Sequence, residues 1–430
     1  FGSPFEQSAI LTIDGVGEWA TAAYGVGEGN RVRLFSEMRY PHSVGLLYSA
    51  ITYYLGFQVN SAEYKVMGLA PYGRPDYAEL IEKELVTIHD DGSIHLNMDY
   101  FDFHFGTRMT GRRMETLFGQ PRRDPESKLE SFHENIAASI QAVTEKIVLK
   151  MARHVRRETG YSQLCMSGGV ALNCKANGLL LKEGIFDQVY VQPASGDAGG
   201  AVGAALYVYH KLTGDEKRPQ PAFGIGPEFA DKEVLEFLQD NEVAFIDGEP
   251  SEQLSRLAEE IARGRIVAVY QGAMEFGPRA LGFRSIVADP RDNRMKEKIN
   301  AAVKYREPFR PFAPAVLLEY ASEYFDCREA SPFMLFNYRV HEAKQQIIPA
   351  VTHVDGSSRI QTVARDENPL FYDLIACFHK LTGLPVVLNT SFNLRGHPIV
   401  NTPEEAFATF CSGGIDFLLM GRYLIDKRQV

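Results

Sequence analysis

Apolar residues alternate with small or polar ones over residues 9–14, 19–26 and 31–38, and turns at Gly15–Gly17 and Gly27–Asn30 separate the three runs. Period-two patterning broken by such turns predicts a three-stranded meander. The period then changes. "SVGLLYSAITYYLGF", from Ser43, and the run from Leu129 to Thr159 carry apolar residues at three- and four-residue spacing, which predicts helices. Between them residues 74–128 are polar, arginine-rich and irregular, the pattern of an insertion or lid.

Next comes a predicted strand, "QLCMS" (163–167), then a glycine turn, a helix from Asn173, a strand "QVYVQ" (188–192), and a second glycine turn running into "GGAVGAALYVYHKL". Strand and helix in alternation imply parallel pairing, with ligands at the carboxyl ends of the strands. Both glycine turns fall there. A stretch rich in proline and charge over 213–250 marks a boundary. Beyond it a second α/β unit opens with the helix "SEQLSRLAEEIARG" and the strand "IVAVY".

With 430 residues, 45% of them hydrophobic, the chain can bury the cores of two or three domains. Its net charge of −10 gives no global attraction to nucleic acid, though a local basic pocket is compatible with it. The five cysteines, Cys165, Cys174, Cys327, Cys377 and Cys411, include no CxxC pair, which fits small core residues in a reducing compartment. No apolar run approaches the roughly 18 residues of a membrane span, and no signal-peptide pattern opens the chain. A cytoplasmic location without membrane attachment is expected. The chain opens on Phe1 and enters a strand almost at once, so a preceding segment is expected.

Three turns are built from small residues: "DGVGE" (14–18), "SGGVALN" (167–173) and "SGDAGGA" (195–201). Each admits a structural reading, since glycine permits tight turns and close helix–strand packing. Together they favour a nucleotide. Gly15, Gly17, Gly168, Gly169, Gly199 and Gly200 let phosphate approach bare backbone, Asn173 closes the second turn, and two of the turns open helices whose N-termini favour anions. Asp14 and Asp197 offer hard oxygens suited to a divalent cation.

"ILTIDGVGEWATAAYG", "HSVGLLYSAITYYLGF", "EYKVMGLAPYG", "MSGGVALNCKANG" and "PASGDAGGAVGAAL" resemble, in order, the NodU/CmcH family of O-carbamoyltransferases and more distantly the TsaD-type threonylcarbamoyl transferases. The resemblance implies an α/β fold in two parts. One is a partial actin/Hsp70-like, TsaD-like domain over 1–215, with the insertion at 74–128; a linker at 216–245 leads to a YrdC-like domain over 246–430. In the second half "YQGAMEFGPRALGFRSIVADPR" (270–291) and "INAAVKYREPFRPFAPAVL" (299–317) set Arg279, Arg284, Lys304, Arg306 and Arg310 among glycines and prolines. Surface cations in ordinary ion pairs would explain them. Lys304 and Arg306 nevertheless resemble the KxR region of YrdC-like domains, and Ser391 and Asn393 in "LNTSFNLRGHPIVNTPEEA" resemble their Ser-x-Asn segment.

The family likeness implies that ATP and carbamoyl phosphate give carbamoyl-adenylate in the second domain. In the first, the carbamoyl group passes to a hydroxyl of a small acceptor, a sugar or an antibiotic-type secondary metabolite. Lys304, Arg306, Arg279 and Arg284 would be catalytic. Arg310, Ser391, Asn393 and the glycine turns with Asn173 would bind nucleotide, and Asp14 and Asp197 metal. The family implies iron, with Mg2+ as the alternative. A homodimer is compatible with the sequence.

Family members carry a further segment ahead of the meander, with half of the nucleotide fold and a His-x-x-x-His motif that ligates iron. None of the 11 histidines here forms that pair. His42 and His133 are the remaining candidates and read more simply as polar or core residues. Tyr48, Tyr53 and Tyr54 read as core aromatics, while Glu63 and Lys65 suit contacts to acceptor or ribose. Two other readings stand beside the transferase: a threonylcarbamoyl-type tRNA-modification protein, disfavoured by the acidic balance, and a non-catalytic nucleotide-binding remnant.

Overall fold

The computed structural model describes residues 1–216 and 224–430. It is a mixed α/β protein dividing into two compact units, 1–220 and 221–430. Part of the stretch expected as a linker, 217–223, lies outside the described residues.

In the first unit strands β1 (Gln7–Ile13), β2 (Ala20–Glu28) and β3 (Arg31–Arg39) form the meander. A hairpin of β4 (Val86–Ile88) and β5 (Ile94–Leu96) stands apart, and β6 (Gln163–Ser167) and β7 (Gln188–Val191) complete the main sheet. Its order is β3-β2-β1-β6-β7. β1 runs antiparallel to β2 and parallel to β6, pairing Thr12 with Ser167. The carboxyl ends of β1 and β6 therefore share one edge, which sets the "DGVGE" turn beside the "SGGVALN" turn.

The helix Ser131–Thr159 packs on β1 and β2. Ile136, Ile140, Val143, Ile147, Met151 and Val155 make its buried stripe at helical spacing. Glu130 and His133 cap its start reciprocally, and Gly160, left-handed at φ +74°, ends it.

Residues 74–128, expected to be irregular, are built of short ordered elements. Ile81, Leu85, Val86, Ile94, Leu96, Phe101, Met114 and Phe118 are buried. Backbone bonds tie the segment down: Leu96 N donates to His42 Nδ1 at 3.1 Å, and the Tyr54 hydroxyl donates to Gln120 O at 2.7 Å. Its apolar residues sit in elements of three to seven residues, too short to show a period.

The second unit holds an eight-stranded sheet in the order β14-β11-β15-β10-β9-β16-β17-β8. In chain order the strands are β8 (Ile246–Asp247), β9 (Val267–Tyr270), β10 (Arg284–Ala288), β11 (Ala313–Leu317), β14 (Gln361–Val363), β15 (Val386–Ser391), β16 (Phe417–Met420) and β17 (Tyr423–Asp426). β12 (Asn337–Arg339) and β13 (Ser357–Arg359) pair separately. Helices Pro250–Ala262 and Pro369–Thr382 pack together over this core. The core also reaches back into the stretch expected as linker: Asp231–Asp240 is a helix that buries Val234 and Leu238, four residues apart on one face. Among the described residues no helix is long and apolar enough to cross a membrane.

Candidate functional site

In the first unit Asp14 leaves the end of β1, and its Oδ1 accepts from Gly15 N at 2.8 Å and Gly169 N at 3.0 Å. The Ser43 hydroxyl donates to the carbonyls of Asp14 (3.0 Å) and Gly15 (2.6 Å), and it caps helix Val44–Tyr54 by accepting from Leu46 N. Gly168 stands at φ +92°, where a Cβ would lie 2.2 Å from Ile13 O. Only glycine fits so close to β1. Its N–H donates to Ser195 O at 2.8 Å, joining the second glycine turn to the third. Gly199 is needed for packing, since a Cβ there would sit 2.1 Å from Ala194 O, whereas Gly15 and Gly200 are open.

Asn173 caps helix Cys174–Lys182 and exchanges two hydrogen bonds with Gln141, at 3.0 and 3.1 Å. Gln141 also accepts from the buried Tyr48 hydroxyl at 3.0 Å. Burial, and then the Glu145 carboxylate, push that phenol well above its ordinary pKa. Asp197 is exposed in the first turn of helix Asp197–Thr213. Among the described residues no three His, Cys, Asp or Glu are grouped to hold a metal ion.

His42 and His133 serve the fold. His133 Nδ1 accepts from Glu130 N at 3.0 Å. Burial lowers the pKa of both rings, with His95 adding to the effect at His42 and Arg123 at His133. Glu63 accepts from Ser49 Oγ (2.7 Å) and Asn60 N (2.8 Å), and the Lys65 ammonium lies over the Phe57 ring.

In the second unit Lys304 is buried, and Nζ donates to Ser391 O, to Ser391 Oγ (3.2 Å), to Asn393 O (3.0 Å) and to Asn393 Oδ1 (2.7 Å). Ser391 Oγ donates to Asn393 Oδ1 at 2.6 Å. Burial, then Arg306 and Arg310, hold the lysine well below its ordinary pKa. A π turn, Asn300–Lys304, delivers it; Tyr305 follows in the left-handed region at φ +44°. Arg306 Nε donates to Asn300 Oδ1 at 2.8 Å, and the guanidinium stacks on Phe312 at 4.5 Å. Arg310 faces Glu307 at 3.7 Å.

Arg284 differs from the other cations. Fully buried, it donates to the carbonyls of Gln271 (2.6 Å), Phe283 (3.1 Å) and Gly272 (3.1 Å), and it lies 3.8 Å over the Tyr270 ring. It closes the loop between β9 and β10 from inside, a position that fits a structural part rather than the catalytic one expected. That loop carries the half-buried Arg279. Glu275, which the sequence reading passed over, braces it by accepting from Leu281 N (2.7 Å) and Arg284 N (3.3 Å). Burial raises the Glu275 pKa. Asn300 and Lys296 also escaped notice; an asparagine four residues ahead of the lysine in "INAAVKYR" was the available signal.

Comparison with known proteins locates these residues in a family. The model described as Carbamoyltransferase N-terminus matches residues 1–206, and that described as Carbamoyltransferase C-terminus matches 258–427. The chain is 47% identical over 454 residues to the uncharacterized protein sll1178 of Synechocystis sp., covering 99% of this chain and 74% of that one. It is 41% identical over 431 residues to the nodulation protein NolO of Bradyrhizobium diazoefficiens, covering 99% and 76%. The 3'-hydroxymethylcephem-O-carbamoyltransferase of Amycolatopsis lactamdurans is 34% identical over 316 residues, 72% of this chain and 56% of that protein.

Proposed function

Because the chain belongs to the carbamoyltransferase family of enzymes, we propose that it is an ATP-dependent O-carbamoyltransferase working in two stages. Residues 246–430 act as a YrdC-like domain that makes carbamoyl-adenylate. Residues 1–215 act as a TsaD-like, actin-related domain that passes the carbamoyl group to a small hydroxylated acceptor, and of the stretch 216–245 expected to connect them, helix Asp231–Asp240 packs into the core of the second unit. Water releases carbamate and inorganic phosphate from carbamoyl phosphate. A carbamate oxygen bonds to the α-phosphorus of ATP as the bond to pyrophosphate breaks. In the second stage the acceptor hydroxyl attacks the carbamoyl carbon, AMP leaves, and the hydroxyl proton passes to solvent.

One observation carries this reading: a buried ammonium, Lys304, is fixed to Ser391 and Asn393 with Arg306 and Arg310 as its neighbours. Cations gathered around one buried ammonium suit a chemistry that brings several anions together. Arg279, Lys304, Arg306 and Arg310 hold phosphate oxygens, and Ser391 and Asn393 orient the lysine and bond the carbamate. In the other domain Gly15, Gly17, Gly168, Gly169, Asn173, Gly199 and Gly200 receive the nucleotide. Asp14 and Asp197 are at most a partial metal site. An unstable mixed anhydride needs an enclosed route to its acceptor. The relative that acts on a hydroxymethylcephem suggests a primary hydroxyl on a small metabolite.

The test is incubation of the full chain with ATP, carbamoyl phosphate and a panel of hydroxylated sugars and secondary metabolites. Pyrophosphate release that requires carbamoyl phosphate, with one acceptor gaining a carbamoyl group by mass spectrometry, is expected. ATP turnover indifferent to carbamoyl phosphate would refute the reading.

A further inference from the structure

The bonding around Asn300 is lopsided. Its carbonyl accepts from Tyr305 N and from Arg306 N (3.3 Å), and its Oδ1 accepts from Arg306 Nε at 2.8 Å. Its Nδ2 is buried with no hydrogen-bond partner, in a side chain only 5% exposed. Native proteins seldom leave such a donor unmatched, so this one points to an acceptor that comes from outside the fold.

Lys296 lies one helical turn earlier, four residues from Asn300, on the same face of helix Arg294–Ile299 and its π-turn extension. It is half-buried, and its strongest charged influence is another cation: burial and Arg306 lower its pKa, while Glu297 opposes them. The Glu307 carboxylate lies 3.7 Å from Arg310. Three donor groups thus gather on one side of the turn: the Lys296 ammonium, the orphaned Asn300 amide and the Arg306 guanidinium, the last steadied by Phe312. An anion set among them would satisfy the amide and relieve the repulsion between the cations.

We propose that Lys296 and Asn300 form, with Arg306, a phosphate-binding cradle beside Lys304. It takes either the outer phosphates of ATP or the phosphate of carbamoyl phosphate. The proposal rests on the nucleotide reading given above and adds two residues to it. Both are binding residues, and Asn300 also positions Arg306.

Calorimetric titration of the full chain with pyrophosphate, with inorganic phosphate and, separately, with ATP tests it in the wild type, Lys296→Gln and Asn300→Asp. Aspartate keeps the acceptor for Arg306 but replaces the amide donor with a carboxylate oxygen that repels an anion. A merely structural asparagine would tolerate the change. The cradle predicts that both variants bind one of the two inorganic anions at least about tenfold more weakly, a charged hydrogen bond's worth. Loss confined to pyrophosphate assigns the cradle to ATP, and loss confined to inorganic phosphate assigns it to carbamoyl phosphate. Lys296→Gln, at a half-buried position, carries the test if Asn300→Asp fails to fold. Wild-type affinity for both anions in the variants, or no anion binding by the wild type, overturns the cradle. If anion binding is weakened as expected but the wild type ignores ATP, the cradle stands and the adenylate reading falls.

Discussion

Replacing Lys304 with methionine should impair nucleotide binding without unfolding the protein, and it should flatten the dependence of stability on pH. Of the four oxygens around Nζ, Ser391 O keeps Asn393 N at 3.1 Å, and Asn393 Oδ1 keeps Ser391 Oγ at 2.6 Å. The Asn393 carbonyl loses its lysine, a cost of about 1–3 kcal/mol. A buried thioether of similar length returns about 1.5–3 kcal/mol, and the repulsion from Arg306 and Arg310 disappears. The two sides roughly cancel near neutral pH. The pH dependence has a definite sign. Folding depresses the lysine pKa below its ordinary 10.5, so between the folded value and 10.5 the unfolded chain binds more protons. Wild-type stability therefore rises with pH in that window, by at most about 1.4 kcal/mol per pH unit for one proton. Methionine removes that proton, so its advantage is greatest at low pH and shrinks toward 10.5. Urea unfolding at about pH 7, 8, 9 and 10 reads the difference as a change of slope. Parallel profiles for the two proteins would refute the argument. ATP affinity should fall about tenfold to a hundredfold in the same variant.

Arg284→Ala should destabilise the second unit by about 3 kcal/mol or more, because three carbonyls lose their donor and a buried volume empties; urea unfolding of the full chain measures it, and a loss of activity at unchanged stability would return Arg284 to the chemistry. Gly168→Ala should fail to fold or melt far below wild type, while Gly15→Ala, with open space around it, should stay within about 0.5 kcal/mol. Equal melting temperatures for the two would contradict the close approach of Gly168 to β1.

What the sequence disclosed follows from how strongly each element repeats its pattern. The strand at 163–167 and the helix capped by Asn173 stand where alternation and the glycine turn place them, because each has a local signal at both ends. The long helix was legible through six buried positions three or four residues apart. Residues 74–128 were not, since single apolar residues such as Phe101 and Met114 are buried there without a run of neighbours long enough to show a period. Helix Asp231–Asp240 hid among charges because only Val234 and Leu238 are fully buried. Lys304, Ser391 and Asn393 could be paired by likeness, and β15 and the π turn do bring them together. The inward turn of Arg284 could not be read, because an arginine beside glycines looks alike whether it meets a ligand or its own backbone.

The π turn that delivers Lys304 acts as a ruler. It fits one more residue into its turn than an α-helix would. Removing any one of Ala301, Ala302 or Val303 would let the segment relax to regular winding and swing the lysine about 100° around the axis, away from Ser391 and Asn393. Across descendants of this chain, Ala301 is free to drift, while Ala302 must keep within the room that Gly414 leaves it and Val303 must stay apolar for the core. Their number is fixed more strictly than their identity, so a one-residue deletion there should be far rarer than substitution at Ala301.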